Sequence, residues 1–351
     1  MDSVRAVNSG AGSDDSRPKR VLVIRIGRLG DNILATPIIE VLHNALGQNV
    51  LIDFAAGPGA STAILQMDRR INHVFSIDRR RLHWRFHPVK RRLREHSRSF
   101  PYDLVVNLEC GTECDDFFRF VEARHFCGRP LAEPRHMPGR HCVDTEKSIY
   151  AAHLGMEVSA SADPSMEIQF DPDFPQNREN AHDVVLNPGF SGLMKNDYRA
   201  HRGWPLASWA HLIGLLSERG GLSVAINGTL EERGYFDSLL AIPGVQSLFG
   251  APLQTLANSL LQARCLVSVD TGTMHLSAAL GTPVVALFGP TNPELTGPYS
   301  KKVDCTVVRS GVDCQPCARS AQQKRCTFNR CMQELTPETV FASVKQLIAH
   351  P

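Results

Sequence analysis

Asp270-Thr271-Gly272-Thr273, followed by Met274 and His275, ends the apolar run CLVSVD and opens a helical pattern. Gly272 lets backbone approach a ligand closely. A helix starting at about Met274 would present its first N–H groups and the positive end of its dipole. The hydroxyls of Thr271 and Thr273 add donors, so these residue types suit a phosphate or pyrophosphate. A cap on that helix by Asp270 or Thr271 would account for the same residues without a ligand. His275 also reads as a partly buried histidine. A second apolar run, TPVVAL, ends in FGPTNP, and neighbouring parallel strands would bring this loop beside the first.

Cations and acids stand at comparable places upstream. NPGFSGLMKNDYRAHRGWP follows the run DVVL. In it Gly189 and Gly192 permit close approach, while Lys195, Arg199, His201 and Arg202 bring positive charge. Arginine can fork onto phosphate oxygens, or these cations can simply face solvent. NGTLEERG offers Glu231 or Glu232 to ribose hydroxyls, or to the N-terminus of the next helix. Near the start of the chain, IRIGRLGD does not fit the G-x-G-x-x-G fingerprint. Its distinctive residue is Asp31, in the first strand-to-helix loop. That carboxylate serves as an N-cap or, in a cleft, as a general base toward a hydroxyl nucleophile.

Something must hold these loops. KRVLVIRI, VLIDFAA, HVFSID and YDLVVNLE are apolar runs separated by helix-length segments. NILATPIIEVLHNAL carries a helical pattern with Pro37 early in it. The alternation predicts a mostly parallel sheet covered on both faces. It resumes after a polar stretch with DVVLNPG, LSVAING, CLVSVD and TPVVALFGP. The expected organisation is a disordered lead-in over 1–18, a first Rossmann-like domain over 19–160 and a linker over 161–182. A second Rossmann-like domain follows over 183–335, and a last helix over 336–351. Two such sheets place a cleft between them, with ligands beyond the carboxyl ends of the strands.

Composition fits this picture. The chain has 351 residues, 42% hydrophobic and 21% charged, as in ordinary globular proteins. A net charge of +2 excludes a nucleic-acid-binding polycation. No apolar run has the length of a membrane span, so a cytoplasmic protein is expected.

With those residues assembled, the sequence resembles the ADP-heptose:lipopolysaccharide heptosyltransferases, glycosyltransferase family 9. VLVIRIGRLGDNILATPII, NPG…RGWP and DTGTMHLSAALGTPVVALFGPTNPELTGPYS carry the resemblance. It implies a GT-B fold, α/β with two Rossmann-like parallel-sheet domains facing a cleft. The N-terminal domain takes the acceptor and the C-terminal domain the nucleotide-sugar. It further implies inverting transfer of heptose from ADP-heptose with no cofactor required for catalysis. Asp31 then matches the catalytic base. Asp270, Thr271, Gly272, Thr273 and His275 match the diphosphate loop, with Asp270 and Gly189 also toward the nucleoside, and Glu232 matches the ribose acid. Where the family often has a basic residue just before Trp-Pro, this chain has Arg202 one position further off, in competition with Lys195.

Two local features remain. Residues 79–98 hold nine Arg/Lys against one Glu. Arg79, Arg80, Arg81, Lys90, Arg91 and Arg92 read as a solvated face, or as a surface for an anionic glycolipid acceptor and peripheral contact with the inner membrane. Cys314, Cys317, Cys326 and Cys331, spaced C-x2-C-x8-C-x4-C, suit a structural zinc or iron site, reduced thiols, or one loop-closing disulfide. They also leave open a protein acceptor. A natural-product acceptor, or the chemistry of a sugar-nucleotide epimerase on the same fold, would be compatible with these residues as well.

Overall fold

The computed structural model describes residues 17–78, 88–109, 121–127, 139–154, 163–174, 181–193 and 201–349. The candidate residues Arg79, Arg80, Arg81 and Lys195 therefore lie outside the described residues. The chain divides into two compact units, 1–169 and 170–351. That division falls inside the stretch read as a linker.

The first unit is a five-stranded sheet of order β3-β2-β1-β4-β5, every neighbouring pair parallel. The strands are β1 Arg20–Arg25, β2 Leu51–Ala56, β3 His73–Ser76, β4 Tyr102–Asn107 and β5 Ala123–Cys127. Val21 to Ile24 have no exposed surface, because helices cover a parallel sheet on both faces and demand unbroken apolar runs. The single helical pattern after β1 is split into Leu29–Leu34 and Pro37–Leu46. Pro37 cannot donate a backbone hydrogen bond, so it opens the second helix rather than continuing the first. Arg17, expected in the disordered lead-in, is tied by an ion pair to Asp103 at 2.7 Å.

The second unit is a six-stranded sheet of order β11-β10-β9-β6-β7-β8, again parallel throughout. Its strands are β6 Val184–Asn187, β7 Val224–Ile226, β8 Gln246–Ser247, β9 Cys265–Val269, β10 Val284–Leu287 and β11 Cys305–Val308. Trp204 and Trp209 meet edge to face at 4.9 Å in its core. The last helix, Pro337–Ala349, buries Val340, Val344 and Leu347 in the same core. Trp204 Nε1 donates to the Leu335 carbonyl at 2.9 Å, fixing the approach to that helix.

Candidate functional site

Strand order reverses once in each sheet, between β1 and β4 and between β6 and β9. In open parallel sheets a ligand crevice opens beyond the carboxyl ends of the strands at that reversal. Asp31, after β1, and the Asp270–His275 segment, after β9, lie there.

In unit 2, β6 ends at Asn187 and β9 at Val269. Asn187 Nδ2 donates to the Gly189 carbonyl at 3.1 Å and to Thr271 Oγ1 at 3.3 Å, joining the two loops across the reversal. Thr271 precedes the helix Gly272–Leu280, which starts two residues earlier than the sequence suggested. Its hydroxyl is engaged by Asn187 and stands 3.2 Å from Ser268 Oγ, so no side chain caps the helix. The leading N–H groups and the positive dipole end stay open to an anion. Arg202 is anchored on the same loop, Nε 3.4 Å from Asp270 Oδ2 and Nη1 donating to the Asp270 carbonyl at 3.3 Å. A third of its side chain (33%) remains exposed. His275 is buried on the helix.

Of the two acids after β7, Glu232 is the buried one (8% exposed), and Glu231 faces solvent. Glu232 Oε2 accepts from the Thr229 N–H and hydroxyl, both at 3.0 Å. The acid therefore does complement the start of the following helix. The same carboxylate lies against Gly189: a methyl group there would come within 2.6 Å of Oε2. The Phe288–Asn292 loop follows β10, the neighbour of β9. Gln315 Nε2 donates to the carbonyls of Phe288 and Gly289 at 3.0 and 2.8 Å. The N–H groups of Cys317 and Ala318 both reach the Pro290 carbonyl at 2.8 Å. The buried Thr291 hydroxyl has no hydrogen-bond partner among the described residues.

In unit 1, Asp31 stands in the first turn of Leu29–Leu34 rather than in the loop before it. Its Oδ2 accepts from the Arg28 N–H at 3.0 Å, and its Oδ1 lies 3.2 Å from Arg25 Nη2. Arg25, the last residue of β1, also places Nη1 3.4 Å from Glu109 Oε1 just beyond β4. Arg25 and Glu109 are 4% and 6% exposed, whereas the Asp31 side chain is 38% exposed. The turn is packed tightly: a methyl on Gly27 would strike Asp31 Cβ at 2.5 Å. Cys142 borders the group. Burial first, then the carboxylates of Glu146 and Asp31, push its thiol up to about 12, against the opposing pull of Arg25.

Sequence reasoning missed Arg25, Glu109, Asn187, Ser268 and Thr291. For Arg25 and Glu109 the available signal was a charge closing an otherwise apolar run, since such charges are rarely buried without a partner.

On the helix Pro88–Ser99, Arg91 and Arg92 are exposed, but Lys90 is buried. Lys90 shares the inward face with Leu93 and Ser97 at helical spacing, so it does not belong to the basic surface. Cys314, Cys317, Cys326 and Cys331 line one cavity of about 480 Å³ together with His201, Pro290 and Phe328. Among the described residues, no three His, Cys, Asp or Glu groups stand close enough to share a metal ion. No described helix is long and apolar enough to cross a membrane.

Residues 131–328, more than half of the 351-residue chain, match the family model glycosyltransferase family 9 (heptosyltransferase). Lipopolysaccharide heptosyltransferase 1 of Pseudomonas aeruginosa is 26% identical over 95% of this chain and 99% of its own. Among solved structures, a glycosyl transferase family 9 protein from Veillonella parvula superposes with a TM-score of 0.74 at 20% identity, covering 96% of this chain and 99% of that one. E. coli heptosyltransferase WaaC with ADP does so with a TM-score of 0.69 at 21% identity, covering 93% and 99%.

Proposed function

Because the chain belongs to glycosyltransferase family 9 and is a glycosyltransferase of GT-B fold, we propose that it moves heptose from ADP-heptose to a hydroxyl of a lipopolysaccharide inner-core precursor. The observation that carries this reading is the Asn187–Thr271 hydrogen bond across the strand reversal of unit 2. It occupies the threonine hydroxyl and leaves the following helix N-terminus for a diphosphate. Arg202 supplies a full positive charge beside that terminus, with Lys195 as the competing cation. Glu232 and Gly189 form the wall offered to the ribose.

When the anomeric bond breaks, negative charge grows on the β-phosphate of the departing ADP. N–H dipoles, the Thr273 hydroxyl and Arg202 stabilise that charge without a catalytic metal. Asp31 accepts the proton of the acceptor hydroxyl as that oxygen attacks the anomeric carbon from the face opposite ADP, which inverts the centre. Incubation of the full chain with ADP-heptose and a panel of acceptors, following ADP release, tests the assignment. ADP release that depends on an inner-core glycolipid supports it. Release of free sugar or an epimer with no acceptor would replace it with the epimerase reading.

The glycolipid acceptor also gives the basic helix a role. The exposed Arg91, Arg92, Arg94 and Arg98 would hold the enzyme against the anionic cytoplasmic face of the inner membrane, each contributing about 1 kcal/mol. Flotation with anionic vesicles across a salt series checks this, and salt-insensitive binding would count against it. A structural zinc or iron remains the proposal for the four cysteines, whose segment braces the Phe288–Asn292 loop. The thiols would have to draw in around the ion. Metal analysis of the purified protein decides between this and reduced or disulfide-linked cysteines.

A further inference from the structure

We infer that Arg25 and Glu109 are positioning residues for Asp31, a buried pair that fixes the orientation and the charge environment of the catalytic carboxylate. The inference rests on the reading of Asp31 as the base. Its starting point is the cost of the arrangement. A guanidinium and a carboxylate removed from water gain little net stability, because desolvation opposes their attraction. Arg25 and Glu109 are both almost wholly buried, and they lie 84 residues apart in sequence. The fold brings them together at the strand-order reversal of the first sheet, where open parallel sheets generally place their ligands.

The geometry says what the pair does. Arg25 presents Nη1 to Glu109 and to the Leu108 carbonyl at 3.4 Å, so one side of the fork is held by the end of β4. The other side, Nη2, faces Asp31 Oδ1 at 3.2 Å. Asp31 Oδ2 is meanwhile held by the Arg28 N–H. Both oxygens therefore have fixed partners, while the side chain keeps enough exposure to meet a hydroxyl. Among the described residues, the charged and titratable groups around Asp31 include Arg25 on β1, Arg28 on the turn, Glu109 after β4, and Cys142 with Glu146 on the helix Cys142–Leu154. Cys142 stays a neutral thiol at physiological pH, and the Arg25 guanidinium contacts the Asp31 carboxylate directly.

Removing either partner should then act on Asp31 with opposite sign. In Glu109→Gln, Arg25 loses its competing carboxylate and turns its charge to Asp31, favouring the ionised base. In Arg25→Met, Asp31 loses the guanidinium that favours its charged form, so protonation is favoured. The test uses full-length Glu109→Gln, Arg25→Met, Arg25→Lys and Asp31→Asn, assayed for transfer from ADP-heptose and for ADP binding.

The expected result is a kcat reduced about tenfold to a hundredfold in Glu109→Gln and Arg25→Met, with donor KM and ADP affinity unchanged. The acid limb of the kcat/KM profile moves to lower pH in Glu109→Gln and to higher pH in Arg25→Met. Arg25→Lys keeps the charge but not the fork, and restores the limb more than the rate. If Arg25→Met does not fold, Glu109→Gln and Arg25→Lys still decide the matter. Wild-type kcat in Glu109→Gln, or limbs that shift in the same direction or not at all, would overturn the inference. Loss of transfer in Asp31→Asn beside a fully active Glu109→Gln refutes the positioning role alone. Full activity in Asp31→Asn refutes the base assignment and the positioning role with it.

Discussion

Gly189→Ala is a small change placed where the second unit has no room. The added methyl would lie 2.6 Å from Glu232 Oε2 and 2.9 Å from its Cδ and Oε1, all inside the closest approach carbon normally makes. Glu232 cannot swing away freely, because Oε2 holds both the N–H and the hydroxyl of Thr229 at 3.0 Å. Nor can the glycine backbone yield, since its carbonyl is tied to Asn187 Nδ2 at 3.1 Å. Overpacking of one methyl typically costs about 1–3 kcal/mol. Release of the capping acid would cost about 1 kcal/mol. If half or more of that strain falls on the nucleoside wall, ADP affinity drops about tenfold, equivalent to about 1.4 kcal/mol. Calorimetric titration with ADP measures it directly. Glu232→Ala removes the obstacle, so in the double variant Gly189→Ala should add little to the loss that Glu232→Ala causes alone. Wild-type ADP affinity in Gly189→Ala, or fully additive losses, would refute the placement of this wall in the donor site.

Two further outcomes follow from titratable groups. His96 is held below its ordinary 6.5 chiefly by burial, and Arg20 Nη2 lies 2.7 Å from its Nε2, an arrangement suited to the neutral ring. Below pH 6.5 the unfolded chain binds a proton that the folded one resists, so this stability is complete above that pH and is lost as pH falls from it through the lower value of the folded state. Urea unfolding at a series of pH values should show this slope, and His96→Gln should flatten it; an unchanged slope would contradict the origin given. Cys142, pushed up to about 12, should resist iodoacetamide at about pH 8 in the folded protein and react after unfolding. Fast labelling of Cys142 in the folded protein would show that the wall beside Asp31 is open.

Much of this could be read from residues alone, for definite reasons. Strands buried on both faces announce themselves as apolar runs, and β1, β2, β4, β6, β9 and β10 all do. The edge strands β5 and β11 do not. ARHFC and CTVV each bury only their last residue, so they lack the continuous apolar pattern. The segments bearing Asp31, Arg202, Glu232 and Thr271 were legible because glycine, threonine and charge cluster where apolar runs stop. What joins them was not. Arg25 meets Glu109 and Asn187 meets Thr271 across 84 residues each, distances that only strand order can close. Lys90 shows the converse limit: a run of basic residues does not reveal which of them a helix turns inward.

In the proposed transfer Asp31 takes the proton and the second unit holds ADP. Its most direct measurement pairs two readouts on Asp31→Asn: the mass of an inner-core glycolipid after incubation with ADP-heptose, and ADP affinity by calorimetry. The native enzyme should give a one-heptose mass gain, the variant should lose it by about a hundredfold or more, and ADP affinity should be equal in both. A variant that still adds heptose at the native rate, or a native enzyme that releases no ADP with any hydroxyl acceptor, would contradict the claim.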